Sequence, residues 1–358
     1  MRVCILGSGL SALTLAKALL DQNISVDIFS SKKKPLLNLS RTIGISKSNI
    51  DYFNKNIVNI EKICWKINKI EILTENFNQE KVLNFQNDKN QLFSVVKNFK
   101  IYEAVEKSLS KNKNYRKIYK NNYLNLLKKY DLIINTDYFN SITKKCFNKK
   151  ILKDYYSYAY SSMIIHKKIT NCTATQIFTK YGPLAFLPIS NTQTSLVFSI
   201  KNYKEISNQN LIKLINKYNI KYDIKKIEKF YFFKLASLNL RNYYQGNILA
   251  FGDLLHKIHP LAGQGFNMTI RDIKVLLDIV KHKIDLGLPL DISVNKEFEK
   301  ISKAKNIIFS SGIDLIHEFF NLESKTKSDI LSKSVQFLGK NPSINKMFTK
   351  IADNGLIF

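Results

Sequence analysis

Residues 2 to 29 leave few folds open to this chain. Arg2 to Leu6 (RVCIL) reads as a short buried strand, Gly7, Ser8 and Gly9 break it, and the apolar periodicity of Leu10 to Leu20 reads as a helix. A second strand is expected at Ile24 to Phe29. Strand, glycine turn, helix and strand in this order form the βαβ opening of a dinucleotide-binding fold. The spacing is GxGxxA, with Ala12 at the third position, where a small side chain lets helix and strand pack closely. One usual feature is absent. Such folds end the second strand with Asp or Glu on the adenosine ribose, whereas this one ends Phe29, Ser30, Ser31, Lys32. Ser30 can still hydrogen-bond a ribose, without the charge assistance that makes such bonds roughly twice as strong. Asp27 is no substitute, because an odd offset on a strand turns it to the other face.

A second glycine-rich turn lies far along the chain, in GDLLHKIHPLAGQGFNMTIRD, Gly252 to Asp272. It reads as a strand ending in Gly252 and Asp253, a loop turned by Pro260, and a helix whose first turn sits at Gly263, Gln264 and Gly265. A glycine-rich helix start presents unpaired backbone N–H groups to an electron-rich ligand. The chain has only twelve glycines, and five of them (Gly7, Gly9, Gly252, Gly263, Gly265) fall in these two turns. Scarce glycines concentrated there point to close backbone approach. His256 and His259 have a spacing that can bind metal, but no third ligand is in view, so no metal site is expected and loop hydrogen bonding is the simplest role. A place near the ligand is the alternative. Arg271 and Asp272 are expected to pair or to tie the helix to the sheet.

Between the turns, SRTIGIS (Ser40 to Ser46) precedes a short helix from Ser48, and Ile67 to Thr74 and Lys81 to Phe85 read as strands. Phe99 to Leu109 reads as a helix, and Tyr115 to Tyr119 and Tyr123 to Leu127 as strands. Leu132 to Ile134 delivers Asn135, Thr136 and Asp137 to a strand end, where open α/β sheets bind ligands; capping of the helix opened by Asn140 and Ser141 is the structural alternative for Asp137. From Asp154 the pattern changes to long alternating segments, Tyr155 to Lys167, Thr173 to Phe178, Leu184 to Pro188 and Thr194 to Ile200, as in an antiparallel sheet. Glu205 to Lys217 reads as a helix and Lys226 to Leu235 as a further strand. This sheet is an insertion, because the chain then returns to Asn247 to Gly252 and its opening motif. Val294 to Phe358 is helical by periodicity.

Composition narrows the partners. At 358 residues, 45% of them hydrophobic, the chain can bury a real core. The net charge of +28 comes almost wholly from dispersed lysines, the arginines being Arg2, Arg41, Arg116, Arg241 and Arg271. Solvated lysine faces account for this, and attraction to an anionic membrane surface is the alternative. Nucleic acid is not expected, since there is no helix-turn-helix, zinc spacing or RNA-binding aromatic signature. Cys4, Cys64, Cys146 and Cys172 are dispersed and read as free thiols in a reducing cytoplasm. Neither a signal peptide nor a bilayer-spanning segment is expected.

With these pieces in order, the chain resembles the flavin-dependent aromatic hydroxylases of the para-hydroxybenzoate hydroxylase type, and among them the ubiquinone-biosynthesis hydroxylases. GDLLHKIHPLAGQGFNMTIRD is similar to that subfamily's GDxxHxxHPxAGQGxNxxxRD signature. SRTIGIS resembles its arginine-containing segment, YGPLAFLPI (Tyr181 to Ile189) a stretch of its substrate-domain sheet, and NTDYFNS its ADGxxS segment, with Tyr138 in place of glycine. The resemblance implies an α/β fold: an FAD-binding Rossmann-like, three-layer domain (1–66, 93–150 and 242–290), an inserted antiparallel-sheet substrate domain (67–92 and 151–241), and C-terminal helices (291–358). It implies FAD held by Gly7, Gly9, Leu10 and Ser11 at the pyrophosphate, with Ser30, Arg41 and Asp137 as further contacts. Gly252 and Asp253 would take the ribityl arm, and Gly263, Gln264, Gly265, Phe266 and Asn267 would line the flavin. Pro260, Gly263 and Gln264 are the implied catalytic contacts. The implied activity is hydroxylation of a polyprenylated phenol with NAD(P)H and O2, in the cytoplasm or on the inner face of its membrane, alone or in a biosynthetic complex. A flavin-dependent isoprenoid reductase and a non-catalytic accessory relative with weakened FAD binding are the alternatives, the latter motivated by Ser30 and Tyr138.

Overall fold

The computed structural model describes residues 1–30, 39–75, 81–86, 91–119, 127, 129–201, 206–260, 263–326 and 330–355. The chain runs β1 (Arg2–Leu6), α1 (Leu10–Leu20), β2 (Ser25–Ser30), β3 (Thr42–Ser46), α2 (Lys47–Asn56), β4 (Trp65–Ile67), β5 (Lys69–Thr74), β6 (Lys81–Gln86), β7 (Phe93–Lys97), α3 (Asn98–Leu109), β8 (Tyr115–Tyr119), β9 (Leu132–Asn135) and α4 (Ser141–Cys146). It continues through β10 (Lys150–His166), β11 (Thr173–Thr179), β12 (Gly182–Pro188), β13 (Gln193–Lys201), α5 (Asn208–Tyr218), β14 (Ile224–Ile227) and β15 (Tyr231–Leu240). After β16 (Tyr244–Gln245), β17 (Ile248–Ala250) and β18 (His256–Lys257) come α6 (Gly265–Asp285), α7 (Ile292–Thr326), α8 (Ile330–Lys340) and α9 (Pro342–Asn354).

The first sheet has the order β16-β17-β9-β1-β2-β8, parallel except for the β16–β17 hairpin. Its central strands are continuously apolar because helices cover them: Val3 to Leu6 and Leu132 to Ile134 are buried, as are Ala12, Leu13, Leu15 and Ala16 on α1. The register decides where a ligand can sit. Leu6 pairs with Phe29 and with Asn135, and Asn135 pairs with Ala250, so β2, β1, β9 and β17 end side by side. A three-stranded antiparallel sheet, β3-β7-β4, packs with α2 and α6 beside that edge.

A nine-stranded sheet takes β18-β15-β10-β13-β12-β11-β5-β6 in order, with β14 also on β10. It is antiparallel apart from the β5–β11 pair. Leu184, Phe198 and Ile200 on one face pack against Leu211, Ile215 and Tyr218 of α5 as a second core. The C-terminal region is helical, α7 packing on α6 and α8 on α7 and β6.

The architecture is the α/β fold with an antiparallel insertion and helical tail read from sequence, and the departures are local. Ile67 to Thr74 is two strands in two different sheets: the chain turns at Asn68, whose N–H bonds the Cys172 carbonyl. Lys226 to Leu235 is also two strands, both paired with β10 and separated where the Ser162 hydroxyl donates to the Glu228 carbonyl. The strand expected from Tyr155 starts at Lys150 and bulges after Asp154, with Tyr156 at φ 50°. The supposed loop before Pro260 contains β18, paired with β15 through Leu238↔Lys257 and Asn239↔His256. The expected strand at Tyr123 to Leu127 lies outside the described residues apart from Leu127, and so does Glu205 at the start of the expected α5. Among the described residues the four cysteines are free, no His, Cys, Asp and Glu cluster could hold a metal, and no helix is long and apolar enough to cross a membrane.

Candidate functional site

The two glycine turns meet at the sheet edge where β1, β9 and β17 end. Gly7 leaves β1 at φ 107°, and a Cβ there would lie 2.4 Å from Thr136 Oγ1 and 3.4 Å from Asp137 Cβ. Gly252 follows β17 at φ 65°, and its Cβ would lie 2.9 Å from Ser11 Cβ on α1. Gly263 precedes α6 at φ 62°, with 3.1 Å from a Cβ to the backbone nitrogen of Gly44 in β3. Positive φ and close approach both select glycine at these points. Gly9 and Gly265 differ: a Cβ on either would meet nothing within 4 Å. These two open glycines sit at the first turns of α1 and α6, and neither helix has a side-chain cap or an acidic residue in its first turn. Neither helix start thus has a side-chain cap for its first N–H groups, the arrangement that attracts an anion or a polar ring.

The α6 helix begins at Gly265, two residues later than its sequence suggests, because Gly263 takes the left-handed conformation and bonds the Pro260 carbonyl. Gln264 is the N-cap residue, and its side-chain carbonyl accepts from Arg271 at 3.1 Å. Burial pulls the Arg271 guanidinium down to about 10, and Phe309 stacks 4.5 Å away. Arg271 therefore supports the helix start and does not pair with Asp272. Asp272 instead meets His256 Nε2 at 2.5 Å and accepts from Asn306 at 3.0 Å, tying α6 to β18 and α7.

The other sequence candidates divide by orientation. Asp253 is exposed in a single 3-10 turn, Gly252–Leu254, because β17 ends at Ala250 and not at Asp253 as its sequence suggests; among the described residues no side chain pairs with it. Leu10 and Ser11 are half-buried in the first turn of α1. Asp137 stands beside Gly7 and accepts from the Phe139 N–H, while Asn140 caps α4 instead. The Ser30 hydroxyl lies 2.9 Å from that of Ser8, joining the end of β2 to the glycine turn. Arg41 is exposed, its carbonyl accepting from the Asn98 N–H. Tyr138 turns its ring outward beneath the Lys150 ammonium, 4.2 Å away, so the bulk that replaces a glycine there lies at the surface. Two residues read as facing the ligand turn inward. Phe266 packs on Phe53, and the Asn267 amide is 1% exposed and engaged with the Ser46 N–H, the Asn49 side chain and the carbonyls of Gly44 and Gly263.

Pro260 and His259 border a small recess, about 10 Å³, lined by Gln176, Pro183, Ala185, Val197 and Ser199 of the nine-stranded sheet. Behind it lies a buried polar cluster. The Tyr155 hydroxyl donates to the Asp314 carboxylate, and the rings of Tyr155, His259 and His317 meet edge-on or tilted, with centroids 4.5 to 5.0 Å apart. Burial, then the neighbouring His317, holds His259 well below its ordinary range. Burial, then Lys201, brings His317 down to about 4. The expectation that His259 is satisfied within its loop does not hold, since neither ring nitrogen has a protein partner. Gly44 was within reach of the sequence, as a scarce glycine inside SRTIGIS. Gln176, Ser199 and Tyr155 gave no signal, because polar residues in an alternating strand read as its solvent face.

Across nearly its whole length the chain has the fold of FAD-dependent monooxygenases. It superposes on p-nitrophenol 4-monooxygenase of Pseudomonas putida with a TM-score of 0.79 at 11% identity, covering 99% of this chain and 98% of that one. On Klebsiella pneumoniae HpxO complexed with FAD and uric acid the TM-score is 0.75 at 11% identity, covering 99% and 97%. In sequence the chain is similar to the 3-demethoxyubiquinol 3-hydroxylase of Escherichia coli (strain K12), 30% identical over 185 residues, covering 46% of this chain and 45% of that protein. The chain spans about half the length of the curated relatives it matches. No protein-family model matches it.

Proposed function

We propose that the chain is an FAD-dependent monooxygenase that hydroxylates the aromatic ring of a polyprenylated phenol in ubiquinone biosynthesis, with NAD(P)H as reductant. The observation that carries this reading is the meeting of two glycine turns, with Gly7 and Gly252 tightly packed beside the strand ends and Gly263 against β3, and two helix starts that lack side-chain caps. The residues there fit FAD. Gly7, Gly9, Leu10 and Ser11 would hold the pyrophosphate, with Ser30, Arg41 and Asp137 around it, and Gly252 and Asp253 the ribityl hydroxyls. Pro260, Gly263, Gln264 and Gly265 would contact the ring system, with Phe266 and Asn267 fixing their position from behind. Bound there, FAD supplies the electron transfer and oxygen activation that ring hydroxylation requires. The chain's own contribution is orientation, exclusion of water by the nine-stranded sheet, and N–H groups at α6 that stabilise negative charge.

The same reading assigns residues 1–66, 93–150 and 242–290 to the cofactor, 67–92 and 151–241 to the substrate, and 291–358 to a helical cover. The joining of β5 and β6 to β10–β15 in one sheet supports that division. A lipid-tailed substrate gives the basic surface a purpose. Tyr231, Phe232 and Phe233 are 40%, 54% and 46% exposed beside Lys234, which supports peripheral contact with an anionic membrane.

Visible absorbance of the purified protein and product analysis under labelled O2 test the proposal. Bound flavin and label in a new ring hydroxyl are expected. A colourless protein that takes up no added FAD overturns it in favour of a non-catalytic relative, and loss of prenyl double bonds without label does so in favour of an isoprenoid reductase.

A further inference from the structure

We propose that His259, with Gln176 and Ser199, forms a polar subsite that receives a hydroxyl group on the aromatic ring of the substrate, directly beside Pro260. Identifying the occupant as substrate rests on the hydroxylase reading; the subsite itself rests on three observations. First, His259 is 1% exposed, yet both of its ring nitrogens lack a partner. A buried donor or acceptor left unsatisfied costs about 1 to 3 kcal/mol, so an imidazole with both nitrogens free is a strong demand for a ligand. Second, His259 borders a recess that Gln176 and Ser199 also line, and neither of those side chains has a protein partner among the described residues. The strand register puts Gln176, Ala185 and Val197 in one row, with Ser199 two residues beyond Val197 on the same face. Three residues with polar side chains thus line one recess whose other walls are alanine, valine and proline.

Third, the recess has room for about one water-sized group at its base, about 10 Å³. The subsite reads one substituent. A neutral imidazole offers one donor and one acceptor, and amide and hydroxyl neighbours offer both kinds. A hydroxyl can bond one ring nitrogen and, at the same time, a neighbouring amide or hydroxyl, because it both donates and accepts; an ether can only accept and a methyl does neither. Burial and the adjoining His317 keep the imidazole neutral, so it presents both functions at neutral pH. Tyr155 meets the ring edge-on, its own hydroxyl being anchored by Asp314 on α7, whose carboxylate also accepts from Ser237 on β15.

Titrating the purified protein with 4-ethylphenol and with ethylbenzene, followed by ligand-detected NMR, tests the subsite without requiring turnover. The wild type should bind the phenol at least about tenfold more tightly, the scale expected when a buried polar site loses its partner. His259→Phe should bring the two ligands to within about twofold, and Ser199→Ala should fall between. A preference unchanged in His259→Phe, or a wild type that shows none, overturns the proposal. If His259→Phe does not fold, Gln176→Leu carries the same test: weaker phenol binding with unchanged ethylbenzene binding supports the subsite, and an unchanged preference sinks it. Flavin absorbance of the same samples separates the two claims. A colourless protein that keeps the preference would retain the subsite and remove the hydroxylase, whereas a yellow protein without it would do the reverse.

Discussion

Asn267 shows how one side chain can hold a glycine turn in place from behind. Its amide joins β3, α2 and Gly263, so the turn before α6 is braced by bonds that need no ligand. Gly263 is the other half of that brace. Gly263→Ala forces a Cβ to within 3.1 Å of Gly44 at φ 62°, and the conformational penalty alone is about 1 to 2 kcal/mol. Flavin retention should drop at least about tenfold while the far-ultraviolet circular dichroism stays native; full retention would show that the turn tolerates displacement. His317 carries a pH dependence. Its folded value of about 4 lies below the ordinary 6.5, so between those values the unfolded chain takes up a proton that the folded chain does not. Its contribution is therefore complete above about pH 6.5 and lost as pH falls towards 4, worth about 3 kcal/mol at the acid limit by the usual conversion. His259 acts in the same direction. Denaturant midpoints between pH 7 and 4.5 should fall less steeply in His317→Gln, and an equal slope would rule His317 out as the source.

At the scale of elements, helix starts and strand ends do most of the positioning. The N-cap residue of α2, Ser46, makes no side-chain cap bond, and α2 borrows one from α9: the Asp353 carboxylate accepts from the Ser48 N–H at 2.9 Å, and its carbonyl accepts from the Ser46 and Ser48 hydroxyls. Removing the carboxylate in Asp353→Ala should cost about 1 kcal/mol, as for a local cap, and lower the thermal midpoint by a few degrees; no change would mean that α9 docks without it. The elements nearest the ligand edge were also the most legible. β1 and α1 have the limits their sequence predicts, because an apolar run closed by Gly7 and Gly9 admits no other reading. The split at Asn68 was not legible, since Ile67 and Ile70 look alike locally and only tertiary pairing sends them to different sheets. Nor was β18, two residues long and held by β15 rather than by its own propensity.

For the whole molecule, the two large sheets divide the work: one ends at the glycine turns, and the other presents Gln176 and Ser199 across from Pro260. What the sequence conveyed was the half proposed to hold the cofactor, because close backbone approach demands scarce glycines. The half proposed to face the substrate depends on which face of each strand turns inward, and a single sequence does not state that. Surface charge belongs to this scale too. With a net charge of +28, the protein should bind vesicles containing anionic lipid and release them as salt rises, and Phe232→Ser with Phe233→Ser should weaken binding about tenfold; co-sedimentation that ignores both salt and the aromatic residues would contradict peripheral contact. The central claim is that the converging turns hold a flavin that hydroxylates a lipid-tailed phenol. Its most direct test is to supply the FAD-loaded protein with NAD(P)H, labelled O2 and a polyprenylated phenol and to analyse the product by mass spectrometry. One labelled oxygen in a new ring hydroxyl is the predicted result, and an unchanged phenol from protein that has retained its flavin would contradict the account.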